Sequence, residues 1–301
     1  QYRKLMKISD AINKSKNRPY YIIGGHGPSP EPEHFFGKTL ADAIVIGEGE
    51  ETIVDLLGAI GNKETLKGIP GIAYREGTEV TINNRRTLIK DIDSIPFPAY
   101  SLFPMEFYRL MRMPHATNTD FVLPILSGRG CTFNCSFCYR MDEGFRPRSC
   151  ESIIEEVNLI KRDYGITYVA FGDELLMSSV KRTASLCEAI IKADLNVKWE
   201  CNGRLNYAKP DVLKLMKKAG CVFINYGIEA MDDNVLKNMK KGLTTPVIIE
   251  GIKNTLAIGI SPGFNIIFGN IGDNKATLEK GVELLLKYDD GSQLRTIRPV
   301  T

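Results

Sequence analysis

The apolar residues of the second half of the chain follow one regular pattern. From Phe121 onward, short apolar runs typical of buried strands alternate with longer segments whose apolar residues recur at helical spacing. In the segment 150–163, for example, Ile153, Val157 and Ile160 form one stripe. This alternation predicts parallel strands in a barrel or a wound sheet, with a partial (βα)6 TIM-like barrel as the fold. The predicted strands are 121–126, 168–172, 197–201, 222–228, 263–268 and 295–300, and the predicted helices are 150–163, 178–193, 210–219, 244–257 and 275–287.

The N-terminal stretch has a different pattern. A segment with apolar residues at helical spacing opens the chain, and the short apolar runs 20–23 and 43–46 predict buried strands, each followed by a glycine-rich turn. Strand, glycine turn and helix in this order are typical of a doubly wound, Rossmann-like α/β domain. Such a sheet usually has about five strands, so residues 1–61 are expected to hold only part of one.

A connector is predicted between these two regions, over residues 62–118. The runs 71–74 and 79–82 indicate a small hairpin, and the proline-rich run 95–100 indicates extended backbone. We therefore assign residues 119–301 to the second, barrel-like domain.

Length, charge and cysteine usage restrict the class of protein. The chain has 301 residues, enough for two domains, and its net charge of +3 is too small to indicate a nucleic-acid or membrane partner. No apolar run reaches the length of a membrane span. Seven cysteines, an odd number, favour a reduced cytoplasmic setting over a secreted disulfide framework. Because Gln1 begins inside a predicted helix and Thr301 follows a strand-like run, we expect both ends to be cut within domains.

The stretch 127–139 holds the most specific chemistry in the sequence. Cys131, Cys135 and Cys138 have CxxxCxxC spacing directly after the predicted strand 121–126. Thiolates so close in sequence converge when the backbone wraps around a metal cluster, and iron–sulfur clusters normally take four thiolates. This motif supplies three, which would leave one iron open to bind another molecule. Active sites of parallel α/β folds gather at the carboxyl ends of strands, where this loop is predicted to lie.

The same cysteines could instead bind zinc, complete a four-thiolate cluster or have no ligand at all. Zinc usually needs a second cysteine pair or histidines, whereas only Cys150 follows nearby and no histidine follows His115. Cys187 and Cys221 fall at apolar positions and are predicted to be core residues. An iron–sulfur electron carrier with Cys150 as its fourth ligand is one alternative. A βα-repeat hydrolase or isomerase with incidental cysteines is another, although no nucleophile elbow or histidine-centred triad supports it.

The cysteine motif on a loop after the first strand of a βα repeat, with Phe137 before the last cysteine, resembles the radical S-adenosylmethionine (SAM) superfamily. The resemblance implies that Cys131, Cys135 and Cys138 hold a 4Fe-4S cluster whose open iron is chelated by the amino and carboxylate groups of SAM. Reduction then cleaves SAM to a 5′-deoxyadenosyl radical, and Phe137 is implied to pack near the adenine. The resemblance also implies a small-molecule substrate and an electron donor such as flavodoxin or ferredoxin.

Two further strand ends resemble the family in their polar residues. Asp173 and Glu174 lie where the family places acids that meet the SAM amino group, and an ammonium group needs a charged acceptor. Asn202 and Arg204 follow the third predicted strand and resemble the family's polar contacts to SAM. The resemblance implies that Arg204 meets the SAM carboxylate.

Two more strand ends continue this order along the chain. Glu229 resembles the acid that follows the fourth strand, which implies a contact with the ribose hydroxyls or the methionine moiety. The segment 263–269, ending in Gly269, resembles the glycine- and isoleucine-containing fifth strand that flanks the adenine. The segment 296–299 would belong to the sixth strand.

The N-terminal piece resembles the later half of a cobalamin-binding domain. Gly24 and Gly25 match the double glycine that lets the nucleotide tail of cobalamin lie close to the backbone. The DxHxxG element of that domain is absent, and His26 does not occupy its position, so His26 is not expected to be a cobalt ligand. The resemblance implies that cobalamin is a cofactor of the full-length protein.

This architecture implies a radical SAM enzyme that transfers a methyl group from methylcobalamin to an unactivated carbon. An alternative that the resemblance leaves open is oxidative ring closure, as in the anaerobic Mg-protoporphyrin ester cyclases. A tRNA methylthiotransferase is a weaker alternative, because that family needs further cluster-binding cysteines in its N-terminal domain. This chain has no cysteine before Cys131.

Overall fold

The computed structural model describes residues 2–288 except 112, 114 and 141–143. It divides into two compact units, with the boundary between Lys90 and Asp91. In the first unit the helices and strands are α1 (Tyr2–Asn13), β1 (Ile22–Gly24), α2 (Pro32–Thr39), β2 (Ala43–Val45), α3 (Glu50–Asn62), β3 (Ile72–Glu76) and β4 (Glu79–Ile82).

The first unit is built on a four-stranded sheet with strand order β1-β2-β3-β4. β1 and β2 are parallel, as a doubly wound domain requires, whereas β3 and β4 run antiparallel to their neighbours. The predicted hairpin thus belongs to this sheet instead of to a separate connector, because its buried Ile72 pairs with Val45 of β2. Phe36 and Leu56 are fully buried and fill the apolar layers between the sheet and the helices.

The second unit begins with two short 3-10 helices, Ile92–Ser94 and Tyr100–Leu102. The second unit also contains a third 3-10 helix, Leu205–Tyr207. Its other elements are α4 (Met105–Tyr108), β5 (Val122–Ile125), β6 (Gly128–Cys131), β7 (Gly144–Pro147), α5 (Cys150–Tyr164), β8 (Tyr168–Phe171), α6 (Val180–Lys192), β9 (Lys198–Gly203), α7 (Pro210–Lys218), β10 (Cys221–Glu229), α8 (Asp233–Asn238), α9 (Thr245–Ala257), β11 (Ser261–Ile266) and α10 (Lys275–Tyr288).

Five of the predicted strands form one parallel sheet in the order β11-β10-β9-β8-β5. A helix follows each of these strands, as the alternating pattern predicts. The predicted sixth strand, 295–300, lies outside the described residues. The described elements that were not predicted are the short helices α4 and α8, the three 3-10 helices and the antiparallel β6–β7 hairpin.

Local sequence determines where the helices begin and end. The hydroxyl of Ser149 accepts a hydrogen bond from the backbone N–H of Ser152 at the start of α5, which is a typical N-cap. Gly165 ends the same helix in the left-handed conformation, at φ 71°. These two residues delimit the helix that follows the cysteine segment.

The two faces of the parallel sheet differ in chemistry. Trp199 of β9 is fully buried in the helix-covered core, and its Nε1 donates to the carbonyl oxygen of Ala219 at 2.8 Å. Cys187 and Cys221 are buried in the same core, which confirms their prediction as core residues. Alternation along β9 places Glu200 and Asn202 on the opposite face. Two polar side chains of β9 therefore face away from the helix-covered core.

No helix among the described residues is long and apolar enough to cross a membrane.

Candidate iron–sulfur and SAM site

The β6–β7 hairpin holds the first cysteine of the motif. Cys131 is the last residue of β6 and pairs with Gly144 of β7. Gly130 has φ +81°, and a Cβ at this position would lie 2.3 Å from the carbonyl oxygen of Gly144. Only glycine fits such a backbone and such a close approach. The backbone before Cys131 therefore pairs closely with β7, and the cysteine loop starts from this pair of strands.

The three thiols of the motif share one electrostatic environment. Burial raises the pKa of the Cys138 thiol, and the nearby Cys135 thiol raises it further. Lys241 lowers this pKa, whereas Glu229 and Cys131 raise it. The structure thus brings Cys131, Cys135 and Cys138 together, with Lys241 and Glu229 beside them.

The donor set fits an iron–sulfur cluster better than a single metal ion. Among the described residues, no three His, Cys, Asp or Glu side chains are placed to hold one ion. Each thiolate of a 4Fe-4S cluster binds a different iron, so the ligands of a cluster stand further apart than those of zinc. Cys150 lies at the start of α5, where it packs against the hydrophobic core. The local motif therefore offers three thiols.

The cysteine loop packs against the segment that follows α8. The backbone N–H of Ser136 donates to the carbonyl oxygen of Met239 at 2.9 Å. Lys241 Nζ lies 5.6 Å from the ring centroid of Phe137, within the range of a cation–π contact. Lys241 was missed in the sequence, because no spacing rule connects a lysine with cysteines about a hundred residues earlier. Its position next to Gly242 was the only local feature that could have drawn attention to it.

Glu229 lies at the site but already has a partner. Its carboxylate Oε1 is 2.8 Å from Lys241 Nζ, and both side chains are buried. Its backbone has φ +67°, which is uncommon for a non-glycine residue and places the side chain over Gly227. A Cβ at Gly227 would lie 2.1 Å from Glu229 Oε1, so this glycine makes room for the ion pair.

The two acids after β8 occupy different surroundings. Asp173 is only 1% exposed, and its carboxylate accepts hydrogen bonds from the backbone N–H of Ser127 at 2.9 Å and from its hydroxyl at 2.9 Å. Burial raises the pKa of Asp173, and these hydrogen bonds oppose that rise. Glu174 is exposed. Of the two predicted ligands for an ammonium group, Glu174 has the accessible carboxylate, and Asp173 holds the base of the cysteine loop.

Asn202 and Arg204 lie at the end of β9, close to the same loop. Asn202 Nδ2 donates to the carbonyl oxygen of Asp173 at 2.8 Å. The guanidinium carbon of Arg204 lies 3.6 Å from the ring centroid of Phe133, and Nη2 donates to the carbonyl oxygen of Lys241. Arg204 is buried, and its Nε has no hydrogen-bond partner among the described residues. A buried guanidinium with a spare donor suits a carboxylate ligand.

The predicted glycines lie at the ends of strands. Gly269 follows β11 with φ +102°, and its N–H donates to Asp273 Oδ2 at 3.0 Å. Gly25 follows β1 with φ +94°, and no atom of the described residues lies within 4 Å of a Cβ built there. At the neighbouring Gly24, a Cβ would be 3.4 Å from Val45. The backbone at Gly25 is therefore open to a large ligand.

Comparisons with known proteins match this chain to one family and to several relatives. Residues 125–285 match the Radical SAM superfamily. The uncharacterized methyltransferase PH0819 of Pyrococcus horikoshii is 30% identical over 94% of this chain and 60% of its own length. An anaerobic magnesium-protoporphyrin IX monomethyl ester cyclase of Cereibacter sphaeroides is 29% identical over 79% of this chain and 40% of its own. The chain therefore spans 60% or less of the length of these two relatives.

Solved structures show the same fold. The cobalamin-dependent SAM radical enzyme OxsB superposes with a TM-score of 0.77 at 22% identity, over 94% of this chain and 41% of that one. The radical SAM methyltransferase TsrM from Kitasatospora setae superposes with a TM-score of 0.78 at 19% identity, over 94% and 56% of the two chains. The expected fold, a partial Rossmann-like domain followed by a partial barrel, is thereby confirmed.

Proposed function

The chain belongs to the radical SAM superfamily, and from this premise we propose that it is the core of a cobalamin-dependent enzyme that methylates an unactivated carbon of a small molecule. The observation that carries the proposal is the convergence of the motif's thiols on one loop, where Cys135 and Cys131 both lie close enough to Cys138 to raise its pKa. Relatives named as methyltransferases support the reaction class, among them a bacteriochlorophyllide d methyltransferase of Chlorobaculum tepidum at 27% identity.

The three cysteines would hold a 4Fe-4S cluster as thiolates. When bound, such a cluster with one open iron supplies the electron that cleaves SAM. The β6–β7 hairpin fixes Cys131, and the hydrogen bond from Cys138 N–H to the Cys135 carbonyl oxygen, 3.3 Å long, tightens the turn between the other two ligands. Lys241 lowers the pKa of the Cys138 thiol and so favours its thiolate form.

The surrounding polar groups would bind SAM at complementary positions. The exposed Glu174 carboxylate suits the SAM ammonium group, and the spare Nε donor of Arg204 suits the SAM carboxylate. Glu229, Asn202 and the Phe137 ring lie around the same loop and complete the proposed contacts. Gly269, at the end of β11, is proposed to flank the adenine.

Cobalamin is proposed for the full-length protein, with Gly24 and Gly25 as its contacts in this chain. Gly24 ends β1 and Gly25 follows it, at the carboxyl end of a parallel strand pair, where doubly wound folds bind ligands. OxsB has been solved with aqua-cobalamin and SAM, and TsrM with cobalamin and a 4Fe-4S cluster. An electron donor of the flavodoxin or ferredoxin type and a cytoplasmic location complete the proposal.

The test is anaerobic reconstitution with iron and sulfide, followed by addition of dithionite and SAM. We expect 5′-deoxyadenosine, measured by mass spectrometry, from the wild type and from Cys150→Ala, whereas Cys135→Ala should lose at least about 100-fold because one cluster ligand is missing. Undiminished product from Cys135→Ala would refute the proposal. A Cys150→Ala protein that loses its cluster would instead support the four-cysteine electron carrier.

Oxidative cyclisation is a second candidate function, and the cyclase relatives favour it. The two reactions differ in what happens to the methyl group of SAM. Methyl transfer converts a second SAM to S-adenosylhomocysteine, whereas cyclisation does not. Formation of S-adenosylhomocysteine in step with 5′-deoxyadenosine, with the substrate present, would decide for the methyltransferase.

A further inference from the structure

The cysteine hairpin begins at a two-residue corner, Leu126–Ser127, that connects β5 with β6. Ser127 is fully buried, and every polar group that it carries has a partner. Its N–H and its hydroxyl donate to Asp173, and its carbonyl oxygen accepts from the N–H of Arg148 at 2.9 Å. The corner is therefore fixed by groups that are distant in sequence.

Two guanidinium groups hold the carbonyl oxygens of this corner. Arg148 Nη1 donates to the Leu126 carbonyl oxygen at 2.8 Å, and Arg182 Nη2 donates to the Ser127 carbonyl oxygen at 2.7 Å. Hydrogen bonds from a charged donor are stronger than those between neutral groups. Arg182 keeps this position although its buried Nε has no hydrogen-bond partner among the described residues.

Arg148 is itself held by a network that begins in the proline-rich segment. It forms a buried ion pair with Glu156, which also accepts the Tyr100 hydroxyl at 2.7 Å. Asp93 lies 3.9 Å from Arg148 Nε, and the ring of Phe97 lies beneath the guanidinium, 5.5 Å from centroid to carbon. The residue that holds the Leu126 carbonyl oxygen therefore has little freedom to move.

We propose that Arg148, Arg182 and Asp173 are positioning residues for the iron–sulfur cluster, because they fix the corner from which the hairpin carrying Cys131 starts. The inference rests on the proposed function, since it assumes that the cysteines hold a cluster. Each of the three bonds to the corner itself: Arg148 and Arg182 to its carbonyl oxygens, and Asp173 to the N–H and hydroxyl of Ser127. A rotation at Leu126 or Ser127 would move Cys131 away from the other two ligands.

The test compares Arg182→Ala and Arg182→Lys with the wild type after anaerobic reconstitution. Arg162→Ala is the matched control, because Arg162 is exposed and pairs with its sequence neighbour Asp163. The measurements are the rate of iron release to a chelator, the electron paramagnetic resonance spectrum of the reduced cluster with and without SAM, and the melting temperature of the protein before reconstitution.

We expect Arg182→Ala to release iron at least about fivefold faster than the wild type, because one charge-assisted hydrogen bond to the corner is lost. Its reduced spectrum should contain more than one cluster species, and SAM should perturb only part of it. Arg182→Lys keeps a charged donor and should restore most of the wild-type behaviour. Arg162→Ala should match the wild type in all three measurements.

The proposal fails if Arg182→Ala matches Arg162→Ala in iron release and spectrum, or if it lowers only the melting temperature. It also fails if Arg182→Lys does not restore the slow iron release and the reduced spectrum that Arg182→Ala loses. If Arg182→Ala does not fold, Ser127→Ala takes its place. This variant loses one hydrogen bond to Asp173, and a rate of iron release equal to that of the wild type would overturn the proposal. A wild type that takes up no cluster would refute the proposed function itself, a result distinct from these.

Discussion

Lys241 and Glu229 form a buried ion pair beside the cysteine loop, with side chains 8% and 7% exposed. Removing one partner leaves the other charge buried without compensation, so we expect Lys241→Met to lower the free energy of unfolding by about 3–5 kcal/mol. The double variant Glu229→Gln, Lys241→Met removes both charges and should recover much of this loss. Urea denaturation of the two single variants and the double variant measures the coupling.

The matched control for this prediction is the ion pair between Lys280 and Asp232. Its nitrogen–oxygen distance is similar, 2.9 Å, but the Lys280 side chain is 54% exposed. Lys280→Met should therefore cost no more than about 1 kcal/mol. Additive effects of the Lys241 and Glu229 substitutions would contradict the prediction, because they would show that the two buried charges do not interact.

Single residues also show how far the sequence could predict the site. The three cysteines were predictable, because their chemistry and their spacing lie within one short segment. The surroundings of Asp173 were not, since its partner Ser127 lies 46 residues away and becomes a neighbour only when β5 and β8 pair. The same holds for Lys241, which meets Glu229 only because α8 returns the chain to the end of β10. Strand-end acids can be found by pattern, but their partners depend on the fold.

At the scale of elements, the β6–β7 hairpin is the feature of the site that the hydrophobic pattern missed. Gly128-Arg129-Gly130-Cys131 has no alternation of apolar and polar residues, and both strands have only four residues. The long strands and helices were predicted because each one buries a full apolar face. The hairpin instead depends on the close approach of two backbones at glycines, and this produces no periodic pattern of apolar residues.

Two glycine substitutions in this hairpin separate backbone strain from steric clash. Gly130 and Gly144 both have positive φ, +81° and +79°, so alanine at either position should cost about 1–2 kcal/mol. Alanine at Gly130 would in addition meet the Gly144 carbonyl oxygen at 2.3 Å, whereas no atom of the described residues lies within 4 Å of a Cβ at Gly144. We expect Gly130→Ala to lose most of its iron, and Gly144→Ala to keep most of it. Iron and sulfide per chain after reconstitution measure the difference, and equal iron contents would contradict the role of the close approach.

At the scale of the whole molecule, the two units have separate hydrophobic cores. The large buried cluster contains only residues from Tyr100 to Leu284, and the two smaller clusters contain only residues before Lys90. A domain with its own core can fold alone. The three cysteines and the proposed SAM contacts all belong to the second unit, whereas Gly24 and Gly25 belong to the first. The proposed cofactors are therefore divided between two units that bury their apolar residues independently.

We accordingly expect a chain that begins at Asp91 to retain the cluster and to lose any affinity for cobalamin. After reconstitution it should contain as much iron and sulfide per chain as the 301-residue protein, because the corner, the hairpin and Lys241 all remain. The affinity for cobalamin is tested by titrating hydroxocobalamin into both proteins and following its visible absorption. The matched variant is Gly25→Val in the longer chain. Valine is strongly disfavoured at φ +94° and would also fill the open space above the backbone. If the longer chain binds hydroxocobalamin and Gly25→Val does not weaken this binding, the proposed contact at Gly25 is contradicted. Loss of the cluster from the shorter chain would show that the second unit needs the first.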